Sequence, residues 1–280
     1  MPTSNGVASQ FSRAPSVGVD VISERLLQAR SSANPLPAFP GELPSDVATA
    51  YAVQRRSIDR WPDEVAGWKV GGISPSFATQ YAATRLAGPI FKRQIISASN
   101  TELVVPTVFD GGFAAVEAEF VLCTAIPIQP SGSNIDKRRL RDSIASVHIG
   151  AEIASSPMPN INDLGPGAII SDFGNNAGLI VGPSILDWRQ RCNEHVGISV
   201  LVNDETVGTV RTSVEDDAFN ALEFLIELSN ARGIELPAGT FVTCGALSGI
   251  HEMKTGDRSS VVFESLGTLN IQFAKRQPTV

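Results

Sequence analysis

Two glutamates, Glu117 and Glu119, lie two positions apart in an otherwise apolar stretch, Gly112–Cys123. The stretch is rich in Val, Phe and Ala and begins at a Gly-Gly pair, so it is predicted to form a β-strand. Because side chains alternate between the faces of a strand, both carboxylates project to the same side. Neighbouring carboxylates repel each other unless a cation neutralises them, and a Mg²⁺ or Ca²⁺ site needs further oxygen ligands from other elements. Alone, the Glu-x-Glu pattern favours a solvated strand face over a metal site.

The overall composition argues against several classes of function. The chain has 280 residues, of which 42% are hydrophobic, and its formal net charge is −7. It is long enough for a large core, and it lacks the basic surface that nucleic acid or an anionic membrane would require. It contains no apolar run of the roughly 18–20 residues that a transmembrane helix needs. Three widely spaced cysteines predict reduced thiols in a cytoplasmic protein, and three scattered histidines favour oxygen ligands for any metal.

The first part of the chain is predicted to be a tail followed by helices. Residues 1–18 are rich in Ser, Pro and Gly and are predicted to be a disordered tail. Residues 19–65 are predicted to be a helical N-terminal part. Its first helix begins near Asp20, and its second begins after Ser45 as N-cap and ends before Pro62.

A single lysine, Lys69, lies in the short predicted strand Ala66–Gly71, between apolar residues and glycines. Taken locally, this pattern favours a lysine that extends its ammonium group to solvent. The alternative is a lysine that the fold holds in place for a chemical task.

The rest of the chain, residues 66–280, is predicted to be one domain made mainly of strands joined by short turns. One of these strands, Val147–Ala154, carries a third acidic residue, Glu152, in an apolar setting. A long helix is predicted over Glu215–Arg232. Few β-α-β units occur, so the pattern predicts an α+β fold with a curled mixed sheet. Dinucleotide, Walker and nucleophile-elbow motifs are absent from the sequence.

Several short motifs occur together in an order that resembles the fumarylacetoacetate hydrolase superfamily. Within it, the chain is similar to the 2-keto-4-pentenoate hydratases and 4-oxalocrotonate decarboxylases over roughly residues 20–275. The resemblance implies a mixed β-roll with a helical N-terminal part. The motifs are Gly67–Gly71, Val116–Phe120, Ala151–Ile153, Asn175–Gly178, Phe219–Ala221, Gly245–Leu247 and Gly256–Arg258.

The resemblance also implies a set of site residues. A Mg²⁺ or Mn²⁺ ion would be bound by Glu117, Glu119 and Glu152, and Lys69 would be the catalytic lysine. The metal would chelate a 2-keto acid and stabilise its enolate as a Lewis acid. The substrate-binding residues implied are Asn176, Ala246 and Leu247.

The activity implied is that of a metal-dependent lyase, with hydration of a 2-hydroxy-dienoate as the first expectation and decarboxylation of a 2-keto diacid as the second. Hydrolysis of an acylpyruvate is less favoured, because no histidine precedes His148 to activate water. A non-catalytic partner subunit is the remaining alternative, and the resemblance implies a homo-oligomer. The chain also departs from the family, with Asn175-Asn176-Ala177-Gly178 where Asp-Asn-Ala-Ser is usual, so a different 2-keto acid or another fate of the enolate stays open.

Overall fold

The structure is a computed structural model that describes residues 17–128 and 137–279. The predicted tail, residues 1–18, lies outside the described residues except for its last two positions. Those two, Val17 and Gly18, belong to the first helix, which therefore begins three residues before the predicted start at Asp20.

The described residues form eight α-helices. They are α1 (Val17–Ser32), α2 (Val47–Ile58), α3 (Pro75–Tyr81), α4 (Lys137–Asp142), α5 (Ile161–Leu164), α6 (Pro166–Ser171), α7 (Trp188–Arg191) and α8 (Val214–Arg232). The N-cap of α2 is Asp46, whose side chain accepts a hydrogen bond from the Thr49 amide, so the prediction of Ser45 was wrong by one residue. The predicted long helix is confirmed as α8, which ends at Gly233 with φ 63°.

The strands follow the predicted pattern of short elements after residue 100, preceded by three strands in the region of Lys69. They are β1 (Val65–Gly72), β2 (Arg85–Phe91), β3 (Ile95–Ser97), β4 (Leu103–Val104), β5 (Thr107–Val108), β6 (Phe113–Thr124), β7 (Ile144–Ser156), β8 (Asn176–Ser184), β9 (Val196–Val202), β10 (Glu205–Thr212), β11 (Phe241–Thr243), β12 (His251–Glu252), β13 (Arg258–Phe263), β14 (Gly267–Gln272) and β15 (Ala274–Lys275).

Two sheets make up most of the fold. The larger has eight strands in the order β2-β1-β11-β6-β7-β8-β3, with β12 also paired to β6, and it mixes parallel and antiparallel pairs. The smaller has five strands in the order β10-β9-β13-β14-β4. The α+β class with a curled mixed sheet is confirmed. The division into a helical part over residues 19–65 and a catalytic domain over residues 66–280 stays a prediction.

The main core lies where the two sheets meet. Strand β6 turns Phe120 and its apolar neighbours toward the smaller sheet, where Phe120 packs on Phe263 with ring centroids 5.8 Å apart. The side of the larger sheet that bears the glutamates is covered by apolar residues and by the α1–α2 region, so β6 is buried on both faces. Among the described residues, no helix has the length and apolar character needed to cross a membrane.

Candidate metal centre

The three predicted carboxylates converge at the middle of the larger sheet. Glu117 and Glu119 project from the same face of β6, as the alternation of the strand predicts. Glu152 lies on the adjacent strand β7, directly opposite Glu117 in the antiparallel register. Each of the three offers a carboxylate oxygen within 4.8 Å of the others. Like charges placed directly opposite on paired strands are destabilising, so this arrangement requires a compensating cation.

Burial excludes the simpler interpretation of a solvated strand face. Glu119 and Glu152 are both 0% exposed, and Glu117 is 3% exposed. A lone ionised carboxylate in such surroundings is costly, so buried charges are paired or bound to metals. The three glutamates therefore need partners that a water-exposed strand face would not require.

Lys69 supplies one of these partners. Its Nζ lies 3.1 Å from Glu152 Oε1 and donates a hydrogen bond to Asn175 Oδ1 at 3.4 Å. The residue is 4% exposed, so the local expectation of an outward-pointing lysine was wrong. Burial opposes the charge on Lys69, but the attraction of the three glutamates outweighs it and raises the pKa of Lys69 above its ordinary value. Lys69 is thus held as an ammonium ion at the centre.

Glu119 is oriented by the segment that follows β11. Its Oε2 accepts hydrogen bonds from the backbone amides of Cys244 and Gly245, each at 2.7 Å, and from the Cys244 thiol at 3.2 Å. Gly245 has φ 98°, and a Cβ there would lie 2.9 Å from the Val70 carbonyl oxygen. A glycine is therefore needed for the chain to turn between β1 and β6 and present its amides to Glu119.

The remaining carboxylate oxygens fit a divalent cation. Within the described part of the chain, Glu119 Oε1 and Glu152 Oε2 are buried and have no hydrogen-bond partner. Three ionised carboxylates against one ammonium leave two negative charges, which one divalent cation would balance. An all-oxygen donor set is the set that Mg²⁺, Mn²⁺ and Ca²⁺ prefer. The donors, their burial and their charge all fit such an ion.

Burial and mutual repulsion raise the pKa values of Glu117 and Glu119. Desolvation raises the pKa of Glu117 to about 7, and the neighbouring Glu152 adds to the shift while Lys69 opposes it. Desolvation raises the pKa of Glu119 well above its ordinary value, with further contributions from Glu152 and Glu117. Without a cation, the site therefore retains protons near neutral pH.

The predicted substrate-binding residues lie near the carboxylates but make different contacts. Asn176 donates from Nδ2 to Glu152 Oε1 at 3.1 Å, so its amide orients a carboxylate. Ala246 and Leu247 are half-buried in the segment after Gly245, and the Leu247 amide donates to the Ala118 carbonyl at 3.0 Å. Substrate contact by these three residues stays a prediction.

Sequence reasoning missed a buried ion pair beside the centre. Arg30 of α1 contacts Asp172, with Nε 2.5 Å from Oδ1, and its Nη1 donates to the Asn176 carbonyl at 2.9 Å. Arg30 is 2% exposed. The two residues are far apart in the chain, and the only signal in the sequence was an arginine next to the apolar stripe of a predicted helix.

Known structures resemble this one at low sequence identity. A 4-oxalocrotonate decarboxylase from Pseudomonas putida G7, in complex with magnesium and adipate, matches with a TM-score of 0.73 and 20% identity, over 91% of this chain and 97% of that one. A fumarylpyruvate hydrolase from Pseudomonas aeruginosa, in complex with Mn²⁺ and pyruvate, matches with a TM-score of 0.56 and 14% identity, over 77% of this chain and 91% of that one.

A third structure, from Yersinia pestis CO92 and assigned to the fumarylacetoacetate hydrolase family, matches with a TM-score of 0.54 and 14% identity, over 76% of this chain and 94% of that one. No protein-family model and no curated protein sequence matches the chain. The structural matches nevertheless agree with one another and with the motif order in the sequence. The chain has the fold of the fumarylacetoacetate hydrolase superfamily.

Proposed function

We propose that this protein is a divalent-metal-dependent lyase that acts on a 2-keto acid through its enolate. The observation that carries the proposal is the convergence of Glu117, Glu119 and Glu152 in a buried site beside the Lys69 ammonium. When bound, a divalent cation would supply Lewis-acid stabilisation of the negative charge that develops on the keto oxygen. Mg²⁺ or Mn²⁺ is the proposed ion.

The chain's own residues would bind the cation, contact the substrate and exclude water. The three glutamates would hold the cation, with Glu119 oriented by the Cys244 and Gly245 amides. Lys69 keeps a proton at Nζ and would donate a hydrogen bond to the substrate carboxylate or keto oxygen. The surrounding apolar strands exclude water and so strengthen each of these electrostatic contacts.

Decarboxylation of a 2-keto diacid is our first candidate for the overall reaction, ahead of the hydration that the sequence favoured. Its support is the match to the 4-oxalocrotonate decarboxylase, which covers nearly all of both chains. In chemical terms, loss of CO₂ leaves an enolate that needs one proton. Hydration requires, in addition to that proton, an activated water molecule that attacks a carbon remote from the keto group.

Hydration of 2-hydroxypenta-2,4-dienoate is the second candidate, because it passes through the same kind of enolate and needs the same four residues. An acylpyruvate hydrolase is less well supported. The first histidine of the chain, His148, bonds the Gly182 carbonyl and the Ser146 hydroxyl, and neither belongs to the carboxylate cluster.

The test is an ultraviolet assay of purified protein with 4-oxalocrotonate and, separately, with 2-hydroxypenta-2,4-dienoate. Each assay is run with Mg²⁺, with Mn²⁺ and with excess chelator. Metal-dependent consumption of either compound, lost in Glu119→Gln, supports the lyase and identifies the reaction. Consumption that persists in chelator, or in Glu119→Gln, would contradict the proposal.

A further inference from the structure

A short left-handed turn delivers two asparagines to the candidate metal centre. Phe173, Gly174 and Asn175 have φ values of 57°, 67° and 54°. Left-handed geometry costs roughly 1–2 kcal/mol for each residue that has a Cβ, and it persists only where the surroundings enforce it. At the end of the turn, Asn175 accepts a hydrogen bond from Lys69, and Asn176 donates one to Glu152. Its conformation therefore sets the position of two polar contacts at the centre.

The turn fits tightly between β2 and the lysine. A Cβ on Gly88 would lie 2.2 Å from the Phe173 carbonyl oxygen, and a Cβ on Gly174 would lie 3.0 Å from Lys69 Cδ. The Phe173 ring packs edge-on against Phe91, with ring centroids 4.9 Å apart. These contacts hold the turn against the sheet, but they provide no hydrogen-bond donors for the backbone carbonyl groups at its two ends.

The Arg30 guanidinium bridges both ends of the turn. Its Nη2 donates to the Asp172 carbonyl at 2.9 Å and its Nη1 donates to the Asn176 carbonyl at 2.9 Å. Its Nε contacts the Asp172 carboxylate, and its guanidinium carbon lies 5.0 Å from the centroid of the Phe173 ring. A planar guanidinium has donors in the fixed fork that such a bridge requires, whereas an ammonium does not.

Asp172 is held in turn by a serine on β7. The Ser156 hydroxyl donates to Asp172 Oδ2 at 2.6 Å, while Oδ1 accepts from Arg30. The Asp172 carbonyl also accepts from the Asn175 amide at 2.9 Å, which closes the turn. Asp172 is 1% exposed, so the pair is shielded from solvent and from salt. One buried ion pair thus connects helix α1 to the residues that contact Lys69 and Glu152.

We propose that Arg30 and Asp172 are positioning residues for the candidate metal centre, because they hold the 173–175 turn in the conformation that places Asn175 on Lys69 and Asn176 on Glu152. The proposal rests on the proposed function only in taking the three glutamates to be metal ligands. Partners that orient metal ligands typically change metal affinity by roughly 10–100-fold when they are removed.

The experiment measures two properties of the full-length chain, Mn²⁺ affinity by calorimetry and amide hydrogen exchange over residues 172–178. In Asp172→Asn, which removes the charge but keeps the shape, we expect Mn²⁺ affinity to fall by roughly 10–100-fold. We also expect exchange at the Asn175 amide to become at least about 10-fold faster, since loss of the ion pair opens the turn locally. Unchanged affinity together with unchanged exchange in a folded Asp172→Asn protein would overturn the proposal.

Two controls separate positioning from general loss of stability. Asp20→Asn removes the charge of the half-exposed Asp20, whose contacts with Arg56 and Arg60 tie the same helix α1 to the α2 region. Val261→Ala shortens a buried side chain in the smaller sheet. Both should leave Mn²⁺ affinity within about twofold of the original, even where the thermal midpoint falls. A matching loss of affinity in the controls would contradict a positioning role.

A milder variant covers the case in which Asp172→Asn does not fold. Ser156→Ala removes one hydrogen bond to Asp172 and leaves the ion pair in place, so we expect Mn²⁺ affinity to fall about threefold or more, with faster exchange at the Asn175 amide. No change in either property would overturn the proposal. If the original protein binds no Mn²⁺, the proposed function fails, and hydrogen exchange alone then decides whether Arg30 and Asp172 hold the turn.

Discussion

The two sheets carry the same kind of ion pair in opposite surroundings. In the larger sheet, Lys69 contacts Glu152 at 3.1 Å, with side chains 5% and 0% exposed. At the edge of the smaller sheet, Arg211 of β10 contacts Glu264, which directly follows β13, at 2.8 Å, with side chains 63% and 61% exposed. The Arg211–Glu264 pair is surrounded mostly by water. The Lys69–Glu152 pair is surrounded by two further carboxylates and by apolar residues.

The difference shows where the fold departs from the arrangement that stability alone would favour. Strands of the smaller sheet alternate buried and half-exposed or exposed residues, so charged groups lie on the wet face. Strand β6 is buried along nearly its whole length, yet it keeps two glutamates. Exposed pairs contribute little to stability, whereas breaking a buried pair leaves an uncompensated charge. Function is the better explanation for the buried set.

The largest effect is expected from Glu152→Gln. The change removes a proposed ligand and also leaves the buried Lys69 ammonium without its nearest carboxylate. We expect Mn²⁺ affinity to fall by more than about 100-fold, because one of the three proposed carboxylate ligands is lost. Calorimetric titration measures the affinity, and denaturant unfolding shows that the variant is folded. Retained Mn²⁺ affinity would show that Glu152 is not a ligand.

Lys69→Met separates chemistry from metal binding. The variant keeps all three glutamates and makes the site more negative, so Mn²⁺ should still bind stoichiometrically. Turnover of the substrate found in the ultraviolet assay should fall by about 10²–10⁴-fold in kcat, because the positioned proton donor is lost. Calorimetric titration measures Mn²⁺ binding, and steady-state kinetics on the same preparation measure turnover. Full activity in a metal-loaded Lys69→Met protein would contradict the role given to this lysine.

The metal-free protein should lose stability as the pH rises. The pKa of Glu117 lies at about 7 in the folded chain and near 4.5 when the group is exposed. Between these values the folded state binds more protons than the unfolded state, so the free energy of unfolding falls with increasing pH. Thermal unfolding in chelator from about pH 5 to about pH 8 measures this slope.

A bound divalent cation should reduce or reverse that dependence, because it stabilises the ionised carboxylates. Glu117→Gln should make the slope in chelator shallower, since one of the two glutamates whose pKa burial raises is gone. A metal-free protein whose midpoint is the same across this range, or a Glu117→Gln protein that keeps the original slope, would contradict the account of the site's charge.

The smallest effect is expected from Glu264→Gln at the edge of the smaller sheet. This group is exposed, and hydrogen bonds from the Arg211 side chain and the Gly197 amide lower its pKa. We expect no measurable change in thermal midpoint, Mn²⁺ affinity or turnover. Unfolding curves measured beside those of Glu152→Gln make the comparison direct. A large effect would mean that the smaller sheet contributes to the site.

Much of the site was accessible from the sequence because the relevant signals are local. Strand alternation put Glu117 and Glu119 on one face, and the structure places them there. The order of short motifs indicated the fold and the third glutamate. The hairpin of β9 and β10 also has a local signal, because Asn203 and Asp204 form its tight turn at positive φ.

The features that sequence reasoning missed depend on contacts between distant segments. Lys69 was expected at the surface from its neighbours, but β1 lies beside β2 and β11 within the larger sheet, and this order is not encoded locally. Arg30 pairs with Asp172, which lies 142 positions later in the chain. The left-handed turn at Phe173 carries little sequence signal, because a phenylalanine adopts that conformation only when the surrounding packing imposes it.

The most direct test of the central claim is a calorimetric Mn²⁺ titration of the chelator-treated protein beside Glu119→Gln, with Glu264→Gln as the matched control. We predict one Mn²⁺ ion per chain in the original protein and in Glu264→Gln, and loss of that binding in Glu119→Gln. Absence of stoichiometric binding in the original protein would contradict the three-carboxylate centre, and so would equal binding in Glu119→Gln.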